Sequence, residues 1–198
     1  MLEQVVFAGF GGQGVLFAGQ VLAYSGMIEG KQVSWLPSYG PEMRGGTANC
    51  NVVISEDEVA SPVVTDADCA IVMNRPSLEM FEKTIHPGGW LVLNSDLIAV
   101  EPLRKDIKIV KIPANSLAEQ AGNVKAANMV VLGAYNSLAA IVQKETIIEA
   151  LSHIMGESKR HLIHMNEKAL ELGEAVAGRQ ISLQGRGKKG AVLWNLKN

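Results

Sequence analysis

The sequence predicts an α/β fold: three layers around a mostly parallel sheet with at least one antiparallel strand, and a helical C-terminal third. Three observations predict it. Short, continuously apolar runs such as Val5-Val6-Phe7-Ala8 and Cys69-Ala70-Ile71-Val72-Met73 have the composition of strands covered on both faces. They alternate with longer helical patterns, as parallel strands joined by crossover helices require. Several runs stop at glycine, asparagine or proline, so polar and turn-forming residues gather at strand ends.

The first strand runs from Leu2 to Ala8 and stops at Gly9. Gln13 to Gly30 reads as a buried helix, apolar on most sides, with Ala18 and Gly19 small enough for close approach to a sheet. A second strand, Gln32 to Leu36, ends at Pro37, which has no N–H to continue a ladder. From Thr47 to Ile54 the residues alternate, with Ala48, Cys50, Val52 and Ile54 on one face, which suggests an antiparallel or edge strand. Cys69 to Met73 is a strand leading through Asn74 to a helix with Pro76 in its first turn. Trp90 to Leu93 ends at Asn94-Ser95, and Ile107 to Ile112 ends at Pro113. Ser116 with Glu119 matches a capping box opening a short helix that Gly122 terminates. Ala127 to Val142 and Glu145 to Met155 are helices. Beyond Ser158 a further helix places Leu162, Met165, Ala169, Leu172 and Val176 on one core-facing stripe. Residues 1–178 form one domain. Residues 179–198 form a tail, basic and glycine-rich at Gly185 to Gly190 and apolar at Ala191 to Trp194, expected to dock on another surface.

With 198 residues and a net charge of -2, the chain supplies one buried core and no broad basic face. Aromatic residues are only 5% of it, too few for stacking platforms, so nucleic acid is not an expected partner. No apolar run has the length of a membrane span and the N-terminus enters a strand without a cationic leader, so no membrane contact and a cytoplasmic location are expected. Cys50 and Cys69 are the only cysteines, each within a strand pattern, and read as buried free thiols; they cannot ligate a four-cysteine cluster.

Two glycine-centred turns carry the functional signal. Gly9-Phe10-Gly11-Gly12-Gln13-Gly14 follows the first strand and opens the first helix, the context of a dinucleotide-type phosphate loop in a Rossmann-like domain. Tight packing accounts for Gly9 but leaves the Gly12-Gln13 pair unexplained. Ser38-Tyr39-Gly40-Pro41-Glu42-Met43-Arg44-Gly45-Gly46 follows the second strand. In an open sheet both lie at the carboxyl ends of neighbouring strands, where a helix N-terminus attracts anions and Arg44 would add a fixed guanidinium. The candidate ligand-binding residues are Gly11, Gly12, Gln13 and Gly14, then Ser38, Tyr39, Gly40, Arg44, Gly45 and Gly46, with Asn74 in support. The end of the second strand lacks the acid that holds ribose in a classical NAD site, and Glu29 falls at the far end of the preceding helix. No general acid or nucleophile stands in the crevice, so no catalytic residue is assigned. His161 and His164 lack the further ligands a metal would need, so no metal site is assigned either.

These two turns, with Asn128-Met129 and Leu132-Gly133-Ala134 downstream, resemble the gamma subunit of 2-oxoacid:ferredoxin oxidoreductases over residues 3–140. The second turn resembles the 2-oxoglutarate and branched-chain or aryl 2-oxoacid forms more than the pyruvate form. The resemblance implies a subunit of a complex that decarboxylates a 2-oxoacid, with 2-oxoglutarate expected, and delivers the acyl group to coenzyme A. It implies alpha, beta and ferredoxin-like delta partner subunits holding thiamine diphosphate and iron–sulfur clusters, and ferredoxin or flavodoxin as electron acceptor. This chain, which has no Gly-Asp-Gly motif, would bind coenzyme A or its phosphates and would be inactive alone. A stand-alone NAD(P)-dependent oxidoreductase and a non-catalytic interaction module remain alternatives, and homodimerisation of the isolated chain is open.

Overall fold

Along the first strand Val5 and Phe7 face one side of the sheet while Val6 and Ala8 face the other, and all four are at most 1% exposed. A strand apolar on both faces must be covered on both, and this one is. The computed structural model describes residues 1–38 and 47–194, except the side chains of Thr47 and of residues 184–194. The strands are β1 (Leu2–Phe10), β2 (Gln32–Ser38), β3 (Thr47–Ser55), β4 (Ala67–Val72), β5 (Ile85–Asn94) and β6 (Lys108–Ile112). The helices are α1 (Val15–Ile28), α2 (Arg75–Phe81), α3 (Ala114–Ala121), α4 (Ala127–Ala139), α5 (Lys144–Met155) and α6 (Ile163–Trp194). The larger core lies between one sheet face and α1, α3, α4, α5 and α6, around Phe7, Ile54, Ile71, Leu132 and Tyr135. The smaller core on the other face packs Val6, Ala70, Val72 and Leu91 under Leu78 of α2 and Ile98 of a loop.

The sheet order is β2-β3-β1-β4-β5-β6. β1, β4, β5 and β6 are parallel, and β3 runs antiparallel to both β1 and β2. The expected mixed sheet is therefore present, and β3 takes the antiparallel of its two expected forms, in an interior position. One correction follows: β3 separates β1 from β2, so the two glycine turns do not follow neighbouring strands. The cause is a fold-back: after β2 the chain reverses, and β3 places Ala48, Cys50, Val52 and Ile54, each at most 2% exposed, in the slot beside β1. β2 is thereby pushed to the rim, where Pro37 is tolerated because an edge strand needs no donor on its outer side.

Local chemistry also sets the helix ends. α3 does not open with the expected box at Ser116; it begins two residues earlier, because the β5 terminus caps it. Asn94 Oδ1 accepts from the Ala114 N–H at 3.2 Å, and the Asp96 carboxylate accepts from the Ser116 N–H at 2.7 Å. Its end at Gly122 is as expected. α4 stops at Ala139 and not at Val142, because Ala140 turns left-handed at φ 48° and Asn136 brackets the exit by bonding the Val142 carbonyl at 2.9 Å. α4 and α6 cross with their backbones almost touching: a Cβ on Gly133 would overlap the Leu170 carbonyl, and one on Gly173 the Val130 carbonyl. Met165, Ala169, Leu172 and Val176 of α6 join the larger core as the stripe predicts. The helix continues through the residue 178/179 boundary to Trp194. On the way, Gln180 lays its amide along β6, accepting from the Lys111 N–H at 3.1 Å and donating to the Lys111 carbonyl at 2.5 Å.

Candidate functional site

The carboxyl ends of β1, β4, β5 and β6 share one edge of the sheet, and the crevice lies above it. Phe10 pairs with Thr47 and Ser38 pairs with Asn49, so both anchors of the second glycine turn stand at this same edge, one strand away from the first turn. Tyr39, Gly40, Arg44, Gly45 and Gly46 lie outside the described residues. Ser38 is exposed at the rim.

The first turn is held rigidly. Gln13 folds its amide back under the loop: Oε1 accepts from the Phe10 N–H at 2.6 Å and from Asn74 Nδ2 at 3.2 Å, and Nε2 donates to the Met73 carbonyl at 3.4 Å. Its backbone N–H donates to the Phe10 carbonyl at 3.1 Å. Gln13 and Asn74 thus tie the turn to the end of β4. Asn74 also caps α2 through a 2.9 Å bond from the Ser77 N–H. Gly14 is the N-cap of α1 at φ 72°, ψ 20°, a left-handed conformation that suits glycine. Behind it stands Asn128, only 5% exposed, whose Nδ2 donates to the Gly14 carbonyl at 3.1 Å. Gly12, at φ 92°, faces open space, with nothing within 4 Å of where a Cβ would sit.

A cleft of about 170 Å³ opens over this turn, lined by Gly12, Gln13, Met73, Asn115, Lys125 and Ala127. Three helices begin at its walls: α1 just after Gly14, α3 at Ala114–Asn115, and α4 at Ala127. Each N-terminus carries about half a positive charge, and α1 has no side-chain cap, whereas the Ala114 and Ser116 N–H groups of α3 are taken by Asn94 and Asp96, and that of Met129 in α4 by Asn128 Oδ1. Lys125, exposed in the 3-10 turn Val124–Ala126, adds a full charge. Its ammonium has no acid partner among the described residues. Positive charge and helix dipole thus converge on one space, a setting that favours anions. Sequence reasoning missed Lys125 and Asn115. The available signal was Asn123, which caps the 3-10 turn by accepting from the Lys125 N–H at 2.9 Å and so fixes where that lysine emerges.

Strongly shifted ionisable groups gather at the opposite, amino edge of the sheet. There Glu3 is pushed up to about 7 by burial and by Asp68, and the Tyr135 hydroxyl, which donates to Glu3 at 3.0 Å, is pushed up by burial. Burial likewise raises the Cys50 thiol to about 12 and Cys69 well above its usual value, so the two cysteines are the free buried thiols expected. Glu29 ends α1 far from the crevice, bonded to Lys31 at 2.8 Å and to the Gln143 N–H at 2.6 Å.

A glycine turn on β1, three helix N-termini and a fold-back strand beside β1 define a Rossmann-like α/β domain with a crevice at its carboxyl edge. The model of the pyruvate ferredoxin/flavodoxin oxidoreductase family matches residues 4–176, and the chain belongs to that family. Ketoisovalerate oxidoreductase subunit VorA of Methanothermobacter thermautotrophicus is 38% identical over 171 residues, 86% of this chain but 35% of VorA, so the chain spans about a third of that relative. The 2-oxoglutarate synthase subunit KorC of Methanocaldococcus jannaschii is 31% identical over 76% of this chain and 82% of KorC. Among solved structures, the gamma subunit of a keto/oxoacid ferredoxin oxidoreductase from Geobacter sulfurreducens superimposes with a TM-score of 0.76 at 28% identity, covering 88% of this chain and 98% of that one. The fold also recurs, at a TM-score of 0.81 and 24% identity over 90% of this chain and 31% of the other, in a 2-oxoglutarate:ferredoxin oxidoreductase from Magnetococcus marinus solved with 2-oxoglutarate, coenzyme A and succinyl-CoA bound. The expected kinship with gamma subunits is borne out.

Proposed function

We propose that this chain is the coenzyme A-handling gamma component of a 2-oxoacid:ferredoxin oxidoreductase. It acts with alpha, beta and ferredoxin-like delta subunits that carry thiamine diphosphate and iron–sulfur clusters and pass electrons to ferredoxin or flavodoxin. The observation that carries this reading is the cleft over Gly12 and Gln13, where three helix N-termini and Lys125 face one space. A pyrophosphate fits that chemistry, and Arg44, on the loop anchored at the same edge, is the second cation we assign to it. Gly11, Gly12 and Gly14 contribute backbone to the phosphate, while Gln13 and Asn74 act mainly by holding the turn. The chain positions a co-substrate and leaves the redox steps to its partners. No acid stands at the end of β2, which argues against a free-standing NAD enzyme.

The oxoacid we assign is 2-oxoglutarate, supported by the match to KorC over 82% of that subunit's length; the ketoisovalerate relatives share more identity over a smaller part of their length. A cytoplasmic complex follows from this assignment. In the assembled complex, Arg44→Ala raises the KM for coenzyme A with the KM for the oxoacid unchanged. An unchanged coenzyme A KM removes Arg44 from the site. Comparing turnover of 2-oxoglutarate with that of 3-methyl-2-oxobutanoate decides the substrate.

A further inference from the structure

Resting on that coenzyme A reading, we propose that the crevice continues past Lys125 into a second cleft, which seats the nucleoside end of the ligand and pairs a further phosphate with Lys159. The second cleft, of about 280 Å³, lies between α1, the start of α4 and the junction of α5 with α6. Ligand pockets usually measure roughly 300–1,000 Å³. Neither cleft reaches that range alone; Lys125 lines both, so a single cation stands between them and a ligand occupying both would pass it.

The walls differ in chemistry. Over the glycine turn they are backbone and positive dipole. Past Lys125 they become apolar, with Phe17 of α1, Met155 of α5, Leu162 of the 3-10 turn Glu157–Leu162 and Met165 of α6. Polarizable methionines and an aromatic ring suit the face of a flat heterocycle. The polar residues there are placed to read edges. Asn166 is 6% exposed, and its Nδ2 is committed to the Leu162 carbonyl at 2.9 Å and to Met155 Sδ at 3.7 Å. That leaves Oδ1 as an acceptor for an exocyclic amine. Lys159 stands on the 3-10 turn Glu157–Leu162 at the far wall. Lys31 and Lys144 are satisfied by Glu29 and Glu171, at 2.8 and 3.1 Å, whereas Lys159, like Lys125, has no acid partner among the described residues. Two free cations separated by an apolar slot match a nucleotide with phosphates on both sides of its nucleoside, the chemistry of an adenosine 3′,5′-bisphosphate unit.

Calorimetry on the full chain separates this from the reading beneath it. Wild type binds inorganic pyrophosphate, and binds adenosine 3′,5′-bisphosphate more tightly than adenosine 5′-monophosphate. Lys159→Ala weakens the bisphosphate about tenfold, the loss of one charge-assisted bond, and leaves pyrophosphate unchanged. Lys125→Ala weakens both. Met165→Trp, which fills the slot, weakens both nucleotides and spares pyrophosphate, with circular dichroism and Tm confirming the fold. If pyrophosphate binds but the nucleotides gain nothing over it, or if Lys159→Ala and Met165→Trp leave them unaffected, the second cleft is not the nucleoside site and the phosphate cradle stands. If wild type binds no pyrophosphate, the cradle falls and takes this inference with it.

Discussion

Replacing Gly14 with alanine tests whether the glycine turn is held from behind by Asn128. Two costs add at this position. Gly14 sits at φ 72°, and an L-residue in the left-handed region costs about 1–2 kcal/mol, partly offset by the lower entropy of the unfolded alanine chain. The new Cβ would also lie 2.5 Å from Asn128 Nδ2, a separation no real contact has, so the amide must leave. Its 3.1 Å bond to the Gly14 carbonyl then breaks inside a side chain only 5% exposed, a loss of roughly 1–2 kcal/mol. Gly14→Ala should therefore destabilise by about 2–4 kcal/mol. Gly12→Ala serves as the control: φ is 92° but nothing lies within 4 Å, so only the backbone cost of about 1 kcal/mol applies. Urea unfolding reads both, with the midpoint shifting at constant m-value, and for a chain of this size each kcal/mol lowers Tm by about 2–4 °C. In the double variant Gly14→Ala/Asn128→Ala the clash is gone, so its destabilisation should fall well below the sum of the single effects. Equal losses for Gly12→Ala and Gly14→Ala, or strict additivity in the double variant, would refute the reasoning.

Other perturbations are as readable. Glu3 is pushed up to about 7, so between pH 5 and 7 the folded chain holds a proton the unfolded chain releases, and stability falls as pH rises through that window. Glu3 keeps solvent contact, so screening limits the effect to about 1 kcal/mol; Glu3→Gln should flatten that part of a Tm-against-pH curve, and an unaltered slope would assign the titration elsewhere. Gly133→Ala drives a Cβ into the Leu170 carbonyl, where backbone must move, and should cost about 3 kcal/mol or more by urea unfolding; a loss below 1 kcal/mol would contradict the close crossing. Gln13→Ala removes the strut beneath the turn and should weaken pyrophosphate binding more than it lowers Tm, a ratio that would invert if the residue served only packing. Cys50 and Cys69 are 0% exposed with raised thiols, so both should resist an aromatic disulfide reagent until the protein is unfolded.

Much of this was legible because it is local. β1 and β4 announce themselves as unbroken apolar runs, and β3 by its alternation, since side-chain period reports how many faces are buried. Which strand β3 would join was not legible: alternation signals antiparallel pairing but not the partner, and the fold-back beside β1 is a long-range choice. The start of α3 was misread for a related reason. Ser116 and Glu119 satisfy a local pattern, but Asn94 and Asp96, some twenty residues earlier, reach the same N–H groups first. Ala140 ends α4 left-handed with no glycine or proline to announce it. At the crevice, Gly12, Gln13 and Gly14 were found by spacing, while the Gln13 clamp was hidden because its partners come from β1 and β4. Lys125 is a single lysine in no motif, and only the packing of the 3-10 turn across the sheet edge brings it to the cleft.

The Gln180 amide on β6 has a consequence for how the sheet could grow. A side-chain amide offers both a donor and an acceptor, like a peptide group, so at Lys111 the sheet meets a counterfeit seventh strand and is blocked at that residue. β2, at the other rim, has no such cover among the described residues. A strand arriving at β6 must first displace Gln180, whereas one arriving at β2 displaces no such amide, so a chain cut before residue 180 would lose that obstacle on the β6 side.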